Sequence, residues 1–154
     1  MFCGETSIVP NRPAGWHAVT DALSALPLVD ADRLGYWGLS MGTMFGLPFL
    51  AEEPRIRAAV LGLASLTGPS VDRSGIRPVF EANAPRIACP VLFVEGAQTL
   101  YFMFFDGKFS REEFLQRVAL VPDFRLETID QAAHMLHHDQ PEALAAHLAG
   151  FLTP

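Results

Sequence analysis

The sequence predicts an α/β domain: a mainly parallel sheet of about four strands with helices on both faces. Two observations carry this. Strand-like and helix-like segments alternate along the chain, and the strand segments are short, continuous apolar runs, as strands covered on both faces are. Helical segments between successive strands are the connections that parallel neighbours require.

The elements follow in order. "PAGWHAVTDALSAL" places Trp16, Val19, Leu23 and Leu26 at helical spacing, with alanines filling one face. "VDADRL" is a polar connection, and "LGYWGL" is a short apolar strand. From Met41 to about Glu52 the pattern is helical, with Pro48 removing one backbone donor and bending the helix. "IRAAVLGLA" is a buried strand. Residues 65–88, rich in Pro, Gly, Ser and Asp, are mostly loop, with a short helix near Val79 to Asn83. "CPVLFVEG" is a strong strand. "SREEFLQRVALVP" opens on Ser110 and Glu113 in a capping-box pattern and stops at Pro122. "FRLETI" alternates apolar and charged residues, as a half-exposed edge strand does. Asp139 and Glu142 are expected to cap a last helix striped by Leu144, Leu148, Phe151 and Leu152. One domain over residues 1–154 is expected, without repeats or low-complexity tracts.

Composition narrows the function classes. The chain has 154 residues, is 50% hydrophobic and carries a net charge of −6, with no cluster of Lys and Arg. That balance argues against nucleic acid and anionic membranes as partners. The start, "MFCGETSIVPNRP", has no basic flank and no apolar stretch, so no secretory signal is read there. Two cysteines are too few for a disulfide framework: Cys89 is expected to pack beside a strand, and Cys3 to be a loose thiol. A reduced, cytoplasmic setting is the expectation.

One stretch carries chemistry. Gly38-Leu39-Ser40-Met41-Gly42 matches G-x-S-x-G, directly after an apolar strand and at the start of a helix. A chain leaving a strand for a helix this abruptly forces its middle residue into a strained conformation and lifts that side chain out of the turn. Bulk at Gly38 or Gly42 is expected to strike the neighbouring elements. Ser40 then sits at a helix N-terminus, where backbone donors favour developing negative charge.

A serine nucleophile needs a base. Of the five histidines, His17 and His147 fall within helices and are expected to pack or face solvent. His134 lies between "FRLETI" and the last helix, in a loop at the C-terminal ends of the strands, where Ser40 also sits. His137 and His138 share the stretch "HMLHH"; a metal site there would want a further ligand, and only Asp139 is near.

"DADRLGYWGLSMGTMFGLPFLAEEPRIRAAVLGLA", "APRIACPVLFVEG" and "AAHMLHHDQPEALAAHLAGFL" together resemble the α/β-hydrolase superfamily, and within it the dienelactone-hydrolase-like esterases. The resemblance runs from about Ala14 onward and implies a reduced form of that fold. It implies Ser40 as nucleophile, His134 as general base and the Met41 N–H as oxyanion donor, with no metal and no cofactor. Dienelactone hydrolases use cysteine; serine here implies ordinary ester hydrolysis.

The chain departs from the family in two places. The usual acid position falls near Thr99, which holds no charge. Asp106 is the favoured substitute, with Glu95, Asp72 or a Ser-His dyad without an acid as alternatives. The strands that normally precede the nucleophile strand, and the second oxyanion donor they supply, have no counterpart before "LGYWGL". That strand then becomes an edge, to be covered by "TSIVP" or by a second copy of the chain. The run "LYFMFFDGKF" suits a dimer surface or an acyl pocket lined by Tyr101 and Phe102. The expectation is a homodimeric or higher-oligomeric serine carboxylesterase for short-chain esters. The alternative is a weakly active hydrolase remnant that serves as an interaction or structural module.

Overall fold

The computed structural model describes residues 14–62, 80–99 and 110–153. Helix α1 (Ala14–Ser24) leads through a polar turn into β1 (Leu34–Leu39). Helix α2 (Met41–Glu52) follows after Ser40 alone and carries Pro48 internally without ending there. Next come β2 (Ile56–Gly62), a helical turn at 80–83 and β3 (Val91–Gly96). Helix α3 (Arg111–Val118), β4 (Phe124–Ile129), the short α4 (Leu136–Asp139) and α5 (Pro141–Leu152) complete the chain.

The strands form one four-stranded sheet in chain order, β1-β2-β3-β4, with every pairing parallel. The expected class is therefore observed. Alternation along the strands builds two cores. Ala59, Leu61, Val91 and Phe93 face α2 and α3 and pack on Leu47, Phe49, Phe114 and Val118. Val60, Leu92 and Val94 face the other way, onto Leu136 and Leu144, with Leu148 and Phe151 beside them. β3 is buried along its whole length, whereas β4 presents Phe124, Arg125 and Thr128 to solvent, as an edge strand should. Cys89 is buried beside β3.

Local capping is partly as read. Ser110 and Glu113 form a complete capping box on α3, each accepting from the other's backbone N–H at 3.2 Å. The last helix differs. Gln140 occupies its N-cap and Pro141 its first turn, because a proline lacks an N–H that the first turn would leave unpaired anyway. Asp139 instead ends α4 and accepts from the Ala133 N–H at 2.8 Å. Leu152 of the expected stripe is 49% exposed. The expected α1 stripe is also mostly outside the core: Trp16, Val19 and Leu23 are 39–57% exposed, and Leu26, 51% exposed, lies beyond the end of the helix at Ser24.

A compact ion cluster ties α1 to the end of α2. Glu53, 3% exposed, accepts from Arg55 Nε and Nη2 at 2.6 Å each, and its Oε2 lies 2.9 Å from His17 Nδ1. The Arg55 hydrogen bonds hold the Glu53 carboxyl down to about 2, against burial, which acts the other way. A depressed carboxyl stabilises the fold fully above its unfolded value of 4.5 and loses that contribution as pH falls toward 2. The urea midpoint is therefore expected to fall across that window by the equivalent of roughly 2 kcal/mol, and Glu53→Gln to flatten the decline.

Candidate active site

Ser40 sits where β1 breaks into α2, with φ 50° and ψ −110°. A non-glycine residue at that φ is strained, and such strain persists only where the surroundings impose it. They do so here through named contacts. Ser40 N–H donates to Gly62 O on β2 at 3.0 Å, and Ser40 O accepts from the N–H groups of Thr43 and Met44 in the first turn of α2. The Thr43 hydroxyl lies 2.7 Å from Gly62 O and 3.0 Å from Gly38 O, joining helix, β1 and β2 at one point.

Tyr36 supplies the rest of the clamp. Its ring lies against Gly38 and Gly46, and its hydroxyl donates to Gly42 O at 2.7 Å. A Cβ on Gly38 would stand 2.8 Å from Gly42 C and O, and one on Gly46 2.6 Å from the Tyr36 ring. Gly42 is different from the expectation: a Cβ there meets only Tyr36 Oη, at 4.0 Å. The glycines that let helix and strand approach are thus Gly38 and Gly46, not Gly42. Burial pushes the Tyr36 hydroxyl up to about 12, so it remains a neutral donor throughout the working pH range.

Met41, 65% exposed, begins α2, and its N–H belongs to the first turn, whose amides a helix leaves without internal partners. The loop after β4 turns through Gln131 at φ 56° and passes over the end of β3. Gln98 N–H donates to Ala132 O at 2.8 Å, and a Cβ on Gly96 would collide with the carbonyls of Ala132 and Ala133. With the Asp139–Ala133 bond, this fixes the backbone immediately before His134. His134 is half-buried, and that burial lowers its pKa below 6.5, which favours the neutral imidazole.

Ser40, Met41 and His134 thus share the C-terminal end of the sheet. The loop bearing His134 crosses β3, two strands from β1, a separation of roughly 10 Å at ordinary strand spacing. Asp106, Tyr101, Phe102 and Asp72 lie outside the described residues, as do Cys3 and "TSIVP". Glu95 lies at the end of β3, 3% exposed, with Oε1 accepting from Arg111 Nη2 at 2.6 Å and from Thr128 Oγ1 at 2.9 Å. That arrangement fastens α3 and β4 to the sheet. Thr99, at the position where the resembled family keeps its acid, buries its hydroxyl oxygen without a hydrogen-bond partner. The rings of His137 and His138 meet edge-on at 4.3 Å. Among the described residues no group of three His, Cys, Asp or Glu side chains is placed to hold a metal ion.

No protein-family model and no curated protein matches the chain. Solved structures do. A cold-adapted esterase from an Arctic intertidal metagenomic library superposes with a TM-score of 0.63 at 25% identity, over 91% of this chain and 55% of its own. The fold is that of the α/β-hydrolases. The Pyrococcus furiosus esterase Pf2001 gives a TM-score of 0.65 at 19% identity, covering 97% of this chain and 64% of its own. The α/β-hydrolase GrgF from a Penicillium species gives 0.67 at 15% identity, over 90% and 69%. Against the first of these, the chain spans little more than half the neighbour's length. Among the described residues, no helix of this α/β-hydrolase fold is long and apolar enough to cross a membrane.

Sequence reasoning missed Tyr36, Thr43 and Gly46. The first two look like ordinary residues of an apolar strand and a helix start. The signal for Gly46 was a glycine inside a helix, a costly choice unless another group must approach closely.

Proposed function

We propose that the chain is a serine carboxylesterase acting on short-chain esters, with Ser40 as nucleophile and His134 as general base. The observation that supports it most is the φ/ψ of Ser40, a strained non-glycine residue held at a strand-to-helix turn by Thr43, Tyr36 and Gly62. In this reading Ser40 Oγ attacks the ester carbonyl carbon while the His134 imidazole takes its proton. The Met41 N–H donates to the developing oxyanion. The C–O bond to the alcohol breaks as His134 returns the proton to the leaving oxygen. Water, deprotonated by the same imidazole, then frees the acid from Ser40. Asp106 as the acid partner of His134, and Tyr101 and Phe102 as acyl-pocket residues, belong to the proposal and lie outside the described residues. No cofactor enters these steps.

The test independent of substrate is covalent labelling. A fluorophosphonate probe is expected to add to Ser40, read by peptide mass, and denatured protein to remain unlabelled. Equal labelling of native and denatured protein would sink the reading.

The lowered pKa of His134 sets the pH profile. A base must be neutral, so the acid limb of kcat/KM is expected to have its midpoint below 6.5. An acid limb centred above 6.5 contradicts His134 as the base.

The second reading, a hydrolase remnant serving as an interaction module, predicts neither labelling nor turnover.

A further inference from the structure

We propose that Thr43 is a positioning residue: its hydroxyl imposes the strained conformation of Ser40 and thereby sets the direction of the nucleophile. The catalytic half of this rests on the esterase reading above; the strain does not. Thr43 holds Ser40 from both sides. Its backbone N–H donates to Ser40 O at 3.0 Å, and its hydroxyl donates to Gly62 O at 2.7 Å. Gly62 O also accepts the Ser40 N–H, at 3.0 Å. Both polar backbone groups of Ser40 are thus tied to one residue, directly or through one carbonyl, in a closed circuit of three hydrogen bonds.

A closed circuit leaves the strained residue no cheap way out. Ser40, at φ 50° and ψ −110°, relaxes only by turning one of its peptide units. Turning the N–H side breaks the bond to Gly62 O. Turning the C=O side pulls on the first turn of α2, where the Met44 N–H also holds Ser40 O, at 3.2 Å. The Thr43 hydroxyl joins these two ends, so α2 cannot slide along β2 to release the turn. Thr43 is fully buried, which keeps solvent from competing for that hydroxyl. The same oxygen lies 3.0 Å from Gly38 O, so its single proton has an acceptor on either strand.

Met41, whose N–H is the proposed oxyanion donor, lies inside the circuit, between Ser40 and Thr43 in sequence. One buried hydroxyl therefore fixes nucleophile and oxyanion donor together. Displacement of reacting groups by about 1 Å costs roughly a hundredfold in rate, so the clamp matters to turnover more than to ground-state binding. The residue type follows from this task. Serine supplies the same oxygen, whereas valine has the shape of threonine and no proton to donate.

Melting curves test the strain without any substrate. Glycine escapes the strain that alanine shares with serine, so the gap in melting temperature between Ser40→Gly and Ser40→Ala measures it. With Thr43→Val added to both, the gap is expected to fall by at least half. With Thr43→Ser added instead, it is expected to persist. A gap that Thr43→Val leaves unchanged, or no gap with Thr43 in place, overturns the proposal. Should Thr43→Val not fold, Thr43→Ala removes the same hydroxyl and is read the same way. The catalytic half is read on Ser40 itself. Thr43→Val is expected to lower both the fluorophosphonate labelling rate and kcat at least about tenfold while KM stays within about twofold, and Thr43→Ser to restore the rates to within about threefold. A loss that falls on KM, or that Thr43→Ser does not restore, overturns the positioning role. If the unsubstituted protein neither labels nor turns over, the esterase reading fails, and the melting gap still decides whether Thr43 holds the turn.

Discussion

Ser40→Ala is expected to lower kcat for a p-nitrophenyl ester by at least about a thousandfold, to the level of buffer, and His134→Ala to do nearly the same. Residues acting as one unit are not additive, so the double variant is expected to be no slower than either single one. Turnover of Ser40→Ala at the unsubstituted rate would end the esterase reading. The backbone gives a second, independent measurement at the same position. At φ 50° both serine and alanine are strained, and glycine is not. Ser40→Gly is therefore expected to be more stable than Ser40→Ala by about 1 kcal/mol, seen as a higher melting temperature. Equal stabilities would mean that the turn relaxes in solution.

The two glycines flanking the serine are expected to respond in opposite directions. Gly38→Ala places a methyl 2.8 Å from the backbone of Gly42, where no side chain can swing aside. Strand and helix must separate, at a cost of about 1 to 3 kcal/mol. The displaced hydroxyl is expected to lose roughly a hundredfold in kcat, as misplacement by about 1 Å does. Gly42→Ala meets nothing closer than 4.0 Å and replaces a helical glycine, so its melting temperature is expected to hold or rise. Melting curves of the two variants decide the matter. A loss at Gly42 equal to that at Gly38 would contradict the packing described for Tyr36.

The parallel strands and the serine turn motif were both legible before any coordinates, for physical reasons. Buried parallel strands are continuous apolar runs, and a turn this sharp restricts its residues to few types. The capping box at Ser110 and Glu113 was legible because it is closed within one helical turn. Helix α1 shows the limit. Periodicity says that Trp16, Val19, Leu23 and Leu26 share a side; it does not say which surface covers that side. The role of Tyr36 was invisible because its three glycine neighbours lie up to ten positions away in sequence and meet it only once β1 and α2 pack. The start of α5 was misread because acidic residues favour a first turn generally, whereas the Ala133 N–H, six residues back across a turn, had the stronger claim on Asp139.

Because, among the described residues, each strand adds beside the one made just before it, the sheet can grow outward in step with synthesis. A ribosome delivers residues at roughly 5 to 20 per second, slowly enough for each crossover to settle before the next emerges. The nascent chain then waits for no distant downstream strand to slot between earlier ones.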